Sequence, residues 1–123
     1  AFCWLMQELA KAHASVPDVD ELTRTLRELA PVPAQHGTFN FLLSNGTALW
    51  AHASTNLCYT ERRHPFQSAH LADEDLSVDF GPVTTERDRV AVVVTAPLTT
   101  NETWTPFAPG ELMVFVDGTR RCA

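Results

Sequence analysis

Apolar residues at Phe2, Leu5, Met6 and Leu9 follow the i, i+3, i+4, i+7 spacing of an amphipathic helix, with no Ser, Thr, Asp or Asn ahead of them to serve as an N-cap. A helix that opens without its cap suggests a truncated start. A second helix is better punctuated: Asp18 and Glu21 stand at capping-box spacing, and Val19, Leu22, Leu26 and Leu29 recur on one face. Pro31 and Pro33 are expected to stop it. The period then falls from about 3.6 to 2, with Phe39, Phe41 and Leu43 alternating against Asn40, Leu42 and Ser44. Asn45-Gly46 predicts a type I′ turn, and Thr47 to Ala53 a returning strand that carries Leu49 and Trp50.

A third strand is expected to include Leu57 to Thr60 and to lead into the basic triplet Arg62, Arg63 and His64, followed by Pro65. Residues 67–89 are rich in acids and small polar groups, among them Asp73, Glu74 and Asp75, and read as a surface excursion with one short edge strand near Val78 and Phe80. Val90 to Val94 form an unbroken apolar run, the pattern of a central strand covered on both faces. A polar connection with Pro97, Asn101, Pro106 and Pro109-Gly110 leads to Leu112, Val114 and Val116, which alternate in a last strand before an Asp117-Gly118 turn and a tail with Arg120 and Arg121. Two helices followed by five or six mostly hairpin-linked strands make an α+β arrangement, the helices packed on a largely antiparallel sheet.

Composition narrows the possible roles. The 123 residues fit a single domain or part of one, and 45% hydrophobic content suits a buried core. Nine Lys and Arg against 15 Asp and Glu leave a formal charge of -6, the wrong sign for a protein that neutralises phosphates, so nucleic acid is not an expected partner. No apolar run approaches the roughly 18 residues of a membrane span, so no membrane is expected either. Cys3, Cys58 and Cys122 are odd in number and widely spaced, which suits a reduced compartment and a cytoplasmic location. The sequons at Asn45 and Asn101 read as turns.

Candidate chemistry is sparse. His13, His36, His52, His64, His70 and the cysteines show none of the paired spacings that preset a metal site, so no metal or other cofactor is expected; His13 and His52 read as partly buried and the rest as surface. The serines lack a nucleophile elbow, and the five glycines make no phosphate cradle. Cys3, beside Trp4, and Cys58, inside a strand, read as core thiols. Arg62 and Arg63 are candidates to clamp a carboxylate, the alternative being a solvated or internally paired loop. Trp104 is a candidate to line a pocket, the alternative being core packing. No catalytic residue is assigned.

The stretch GTFNFLLSNGTALWAHAS (37–54) resembles the hairpin of class II glutamine amidotransferases. VTAPLTTNETW (94–104), followed by PGELMVF (109–115), is similar to their "PLT-x-NE-x-W … PGEL-x-V" segment. TERRHPF (60–66) resembles the "RR-x-PF" segment of stand-alone members related to ergothioneine-pathway and glutathione-degrading enzymes.

This resemblance implies a four-layer α-β-β-α N-terminal-nucleophile hydrolase fold and hydrolysis of a glutamine-type γ-amide. In that family the N-terminal cysteine is the nucleophile, its α-amine the base and an Asn-Gly pair the oxyanion hole, while an arginine and an aspartate hold the substrate. None of these can be placed on this chain, since the family's "TDSE" segment falls just before a helix matching Ala1 to Trp4. Residues 1–123 are therefore expected to be the C-terminal portion of one such domain, with Cys3 a core position and not the nucleophile. The expected partners are glutamine or a γ-glutamyl substrate, the missing N-terminal half or another subunit, and further copies of the chain. The rival expectation is a non-catalytic binding or interaction module that keeps the scaffold.

Overall fold

Asp18 does what its spacing predicts. Its side chain accepts the Glu21 N–H at 2.8 Å while the Glu21 carboxylate accepts the Asp18 N–H, so both halves of the capping box open the helix Val19–Leu29. In the computed structural model, which describes residues 1–121, this helix is α2; it follows α1 (Phe2–Ala12) and precedes α3 (Pro31–Ala34). As the prolines predict, α2 ends at Leu29, and Pro31 then begins a new, unexpected helical turn. Proline at the first position of a helix has no N–H to leave unpaired, and Ala30 stays in helical geometry ahead of it.

On α1 the four-residue stripe narrows to Leu5 and Leu9, which are buried, while Phe2 and Met6 are largely exposed on its flank. Cys3 is exposed as well, against the expectation of a core thiol. At 3.6 residues per turn it points away from Leu5, so the spacing that buries Leu5 and Leu9 turns Cys3 outward.

Nine strands follow among the described residues: β1 (Phe41–Ser44), β2 (Ala48–Ala53), β3 (Cys58–Arg63), β4 (Ala69–His70), β5 (Ser77–Val78), β6 (Arg89–Val94), β7 (Thr105–Pro106), β8 (Glu111–Val116) and β9 (Thr119–Arg121). They form a four-stranded sheet in the order β1-β2-β8-β9, a three-stranded sheet β6-β3-β7 and a small β4-β5 ladder, with every pairing antiparallel. Only β1-β2, β4-β5 and β8-β9 pair as sequence neighbours, so crossovers between distant strands replace the mostly hairpin-linked sheet that was expected.

One face of the four-stranded sheet packs Trp50, Leu112 and Val114 against Leu5, Leu22 and Leu26 of the helices. The other face packs Ala51, Ala53, Met113 and Phe115 toward Tyr59, Ala91 and Val93 of the three-stranded sheet. The described residues thus form helices, sheet and sheet in three layers, a mixed α and β architecture with antiparallel sheets. The strands clad on both faces are β2 and β8, not Val90 to Val94. That run forms β6, at the edge of its sheet with only half-buried or exposed residues. An apolar run reports which contacts a strand tolerates; its neighbours are chosen by pairing across long stretches of chain.

The two glycine turns exchange roles. Asn45-Gly46 does not make a type I′ turn: only Gly46 has positive φ, and the Asn45 side-chain oxygen accepts the Thr47 and Ala48 N–H groups at 2.9 Å. The pair of positive φ values falls on Asp117 and Gly118, 51° and 70°, which turn β8 into the unforeseen strand β9. A Cβ on Gly118 would lie 2.3 Å from the Arg89 carbonyl oxygen, so this hairpin presses bare backbone against β6.

Of the histidines, His52 is buried in β2 with Nδ1 2.8 Å from the Phe39 carbonyl oxygen. His13 is half-buried, its Nε2 2.9 Å from the Thr25 hydroxyl. The excursion at 67–89 holds β4, β5 and a 3-10 turn, and Phe80 lies outside the short strand expected to include it.

Candidate functional site

Strand β3 carries both candidate arginines as its last two residues, so it runs past the expected Leu57 to Thr60 stretch and leaves only His64 of the basic triplet outside it. Consecutive strand residues project to opposite faces, so Arg62 and Arg63 diverge and do not form one clamp. Arg63 is exposed and pairs with Glu61 at 2.8 Å. Arg62 turns inward, its side chain 18% exposed, and meets Glu102, 14% exposed, in a two-pronged contact. Its Nε donates to Glu102 Oε2 and its Nη2 to Oε1, both at 2.8 Å, while its guanidinium lies 5.0 Å from the centre of the Phe80 ring.

Glu102 belongs to a larger polar unit. Its Oε1 also accepts the Thr99 hydroxyl at 2.8 Å, and the buried Thr99 oxygen accepts Trp104 Nε1–H at 3.0 Å. The Arg62 hydrogen bonds hold the Glu102 carboxyl below its usual range, aided by the Thr99 bond and the Arg62 charge and opposed by burial. Asn101 ties the same segment to its neighbour: its side-chain oxygen accepts the His70 N–H at 2.8 Å, and its amide donates to the Ser68 carbonyl. Backbone bonds from Ala72 N–H to Leu98 and from Thr100 N–H to His70 complete the seam. Residues 98–104 are thereby fixed to β3 on one side and to β4 on the other.

Beside this seam β7 pairs only with Cys58 and Tyr59, and a cleft of about 510 Å³ opens where β3 continues beyond β7, paired with β6 on its other side. Tyr59, Glu61, Arg62, Phe66, Asn101 and Glu102 line it, together with Arg120, whose guanidinium lies 6.0 Å from the Tyr59 ring centre. Of the three sequence-derived candidates the structure brings only Arg62 to the cleft; Arg63 and Trp104 do not line it. Glu102, Thr99 and Asn101 were missed as anchors, for Glu102 meets its partner 40 residues away along the chain.

The cleft offers charged and hydrogen-bonding groups to a small polar molecule. Among the described residues no cysteine, serine or histidine lines it. Cys58 is buried, and burial pushes its thiol up, which keeps it protonated and unreactive. Cys122 lies outside the described residues. No three His, Cys, Asp or Glu side chains among the described residues gather in a metal-holding group, and no helix there is long and apolar enough to cross a membrane.

A helix-backed pair of antiparallel sheets with a polar cleft at a sheet edge defines the class, and comparison with known proteins supplies the family. The model of the family "Glutamine amidotransferases class-II" matches residues 1–123, and the chain belongs to that family. It is 42% identical over 121 residues to "Putative glutamine amidotransferase YafJ" of Escherichia coli (strain K12), covering 98% of this chain and 48% of that protein. It is 40% identical over 118 residues to "Putative glutamine amidotransferase" of Haemophilus influenzae, covering 96% of this chain and 40% of the relative. The crystal structure of a "predicted glutamine amidotransferase" from Pseudomonas aeruginosa PA01 is similar with a TM-score of 0.84 and 36% identity, over 99% of this chain and 48% of that one. The chain spans less than half the length of each of these relatives.

Proposed function

We propose that the whole protein hydrolyses the γ-amide of glutamine or a γ-glutamyl compound, with an N-terminal cysteine nucleophile supplied by a part of the protein outside these 123 residues. The observation that carries this reading is the family match along the entire chain, combined with relatives about twice its length. A cleft without a nucleophile suits a supporting wall. On this reading Arg62 and its anchored segment shape the far side of the substrate site, and the complete domain has four layers, α-β-β-α. The nucleophile splits amide hydrolysis into formation and breakdown of a thioester, each passing through an oxyanion that backbone donors stabilise. A cytoplasmic location and action without a cofactor belong to the same proposal.

The test is the full-length protein incubated with glutamine and, separately, with γ-glutamyl peptides, with glutamate and ammonia quantified. Glutamate release that disappears on replacing the N-terminal cysteine with alanine is the expected result. Full-length protein that binds such ligands but releases no glutamate would assign the scaffold to the second role considered, a binding module.

A further inference from the structure

Among the described residues His52, 2% exposed in β2, is a buried ionisable side chain that the cleft at β3 does not use. Its ring is held from two sides. It stacks on Phe41, with ring centres 5.4 Å apart and 13° between the planes, and its Nδ1 lies 2.8 Å from the Phe39 carbonyl oxygen. A carbonyl can only accept, so Nδ1 carries the proton and Nε2 of the neutral ring keeps its lone pair. No partner for Nε2 is found among the described residues. A buried acceptor left in this way calls for a donor.

The ring borders a pocket between the end of α2, the start of α3 and the sheet, lined by Arg27, Ala30, Pro31, His52, Gly110 and Leu112. Its volume of about 190 Å³ is about six times the roughly 30 Å³ that a water takes up in the liquid. The side chains of Ala30, Pro31 and Leu112 carry no polar atom. Gly110 has none at all, and a Cβ built there would meet nothing within 4 Å. Lining side chains therefore offer two polar features: the His52 acceptor in the depth and, at the mouth, the guanidinium of exposed Arg27 in the last turn of α2. No ion pair of Arg27 is found among the described residues. The pocket shares no residue with the cleft.

We propose that this pocket is a second small-molecule site, fitted to a hydroxy acid of about three carbons. Its carboxylate would sit at the mouth and accept from Arg27, its hydroxyl would donate to His52 Nε2, and its carbon skeleton would lie against Pro31 and Leu112. A neutral hydroxyl suits the depth, where an ammonium or a bare anion would lose its water without meeting a counter-charge. At the mouth a carboxylate keeps part of its hydration and meets a forked donor. This inference does not depend on the amide chemistry.

The test is an NMR titration of the full-length protein, carrying isotope-labelled histidine, with lactate, propionate and alanine. These share one skeleton and differ at a single carbon, which bears a hydroxyl, no donor or an ammonium. Lactate is expected to shift the His52 Nε2 resonance saturably, with a dissociation constant of the order of millimolar. Propionate and alanine should bind about tenfold more weakly or worse, because each leaves Nε2 without a fitting neutral donor. Arg27→Gln, a change at an exposed position, should weaken lactate by about tenfold while leaving the His52 signals of the free protein in place. Equal affinity for propionate would reduce the site to a carboxylate on Arg27, and equal affinity for alanine would make the donor an ammonium; either overturns the proposal. So would a His52 signal that lactate does not move, or lactate binding that Arg27→Gln leaves unchanged. Glutaminase activity enters none of these readouts.

Discussion

The helix-backed face of the four-stranded sheet and the outer face of the three-stranded sheet are built from strands of similar composition, yet they are held by different forces. In the first, Trp50 is fully buried among Leu5, Leu22, Leu26 and Val114, and its only polar atom donates to Thr23 at 2.8 Å. In the second, Arg62, Glu102, Thr99 and Trp104 form a chain of directed polar contacts, and the apolar strand β6 stays half exposed. The first region holds its fully buried side chains, Trp50, Leu5 and Leu26, by apolar packing. The second is pinned in place by those polar contacts, with β6 half-buried or exposed along its length.

The largest effect should come from the helix-backed region. Trp50→Ala removes the side chain on which both helices rest and is expected to destabilise the fold by about 3–5 kcal/mol, read as a lowered denaturation midpoint. A loss below 1 kcal/mol would show that the helices do not depend on this core. The contact between the two regions comes next. Gly118→Ala meets both a left-handed backbone and the Arg89 carbonyl, and is expected to cost about 2 kcal/mol or more. Hydrogen exchange should locate the loosening at β9 and the start of β6.

Glu102→Gln tests the polar seam. Losing the charge from a paired, largely buried site is expected to cost about 1.5–3 kcal/mol, confined to residues 66–104, so limited proteolysis should cut there before the Trp50 core unfolds. Global unfolding in one step would erase the distinction between the regions. The pH dependence has a definite sign: the folded carboxyl titrates below its unfolded value, so its contribution is fully present above the ordinary carboxylate range and is lost as pH falls through the lower, folded pKa. The variant should flatten that acid limb. The smallest change is Asp18→Ala, which removes a side-chain cap on α2 and should cost about 1 kcal/mol, leaving β3 and residues 98–104 unaltered in their exchange.

Local chemistry made much of the fold readable. Asp18 with Glu21, the stripe of Leu22 and Leu26, and the alternation through Trp50 and Val114 each act over a few residues, so their elements follow from spacing. The motif resemblance named the family that the full-length match then showed. Asn-Gly and Asp-Gly turns were equally legible as turns, but the type I′ geometry went to Asp117-Gly118 because Asn45 had backbone N–H groups within reach of its own side chain. The site was less legible. Arg62 stood out as a cation, and its role as a partner of Glu102 could not be read 40 residues away.

By itself, then, the sequence determined where the longer helices and strands form (α1, α2, β1, β2, β3, β6 and β8), how their apolar residues are spaced and which family they belong to, since these depend on neighbours within a turn or on motifs carried whole. Tertiary structure alone decided that β2 and β8 are central while β6 lies at an edge, that Cys3 faces out, and that Arg62 is held by Glu102. Those outcomes rest on contacts between residues far apart in the chain, which no local period records.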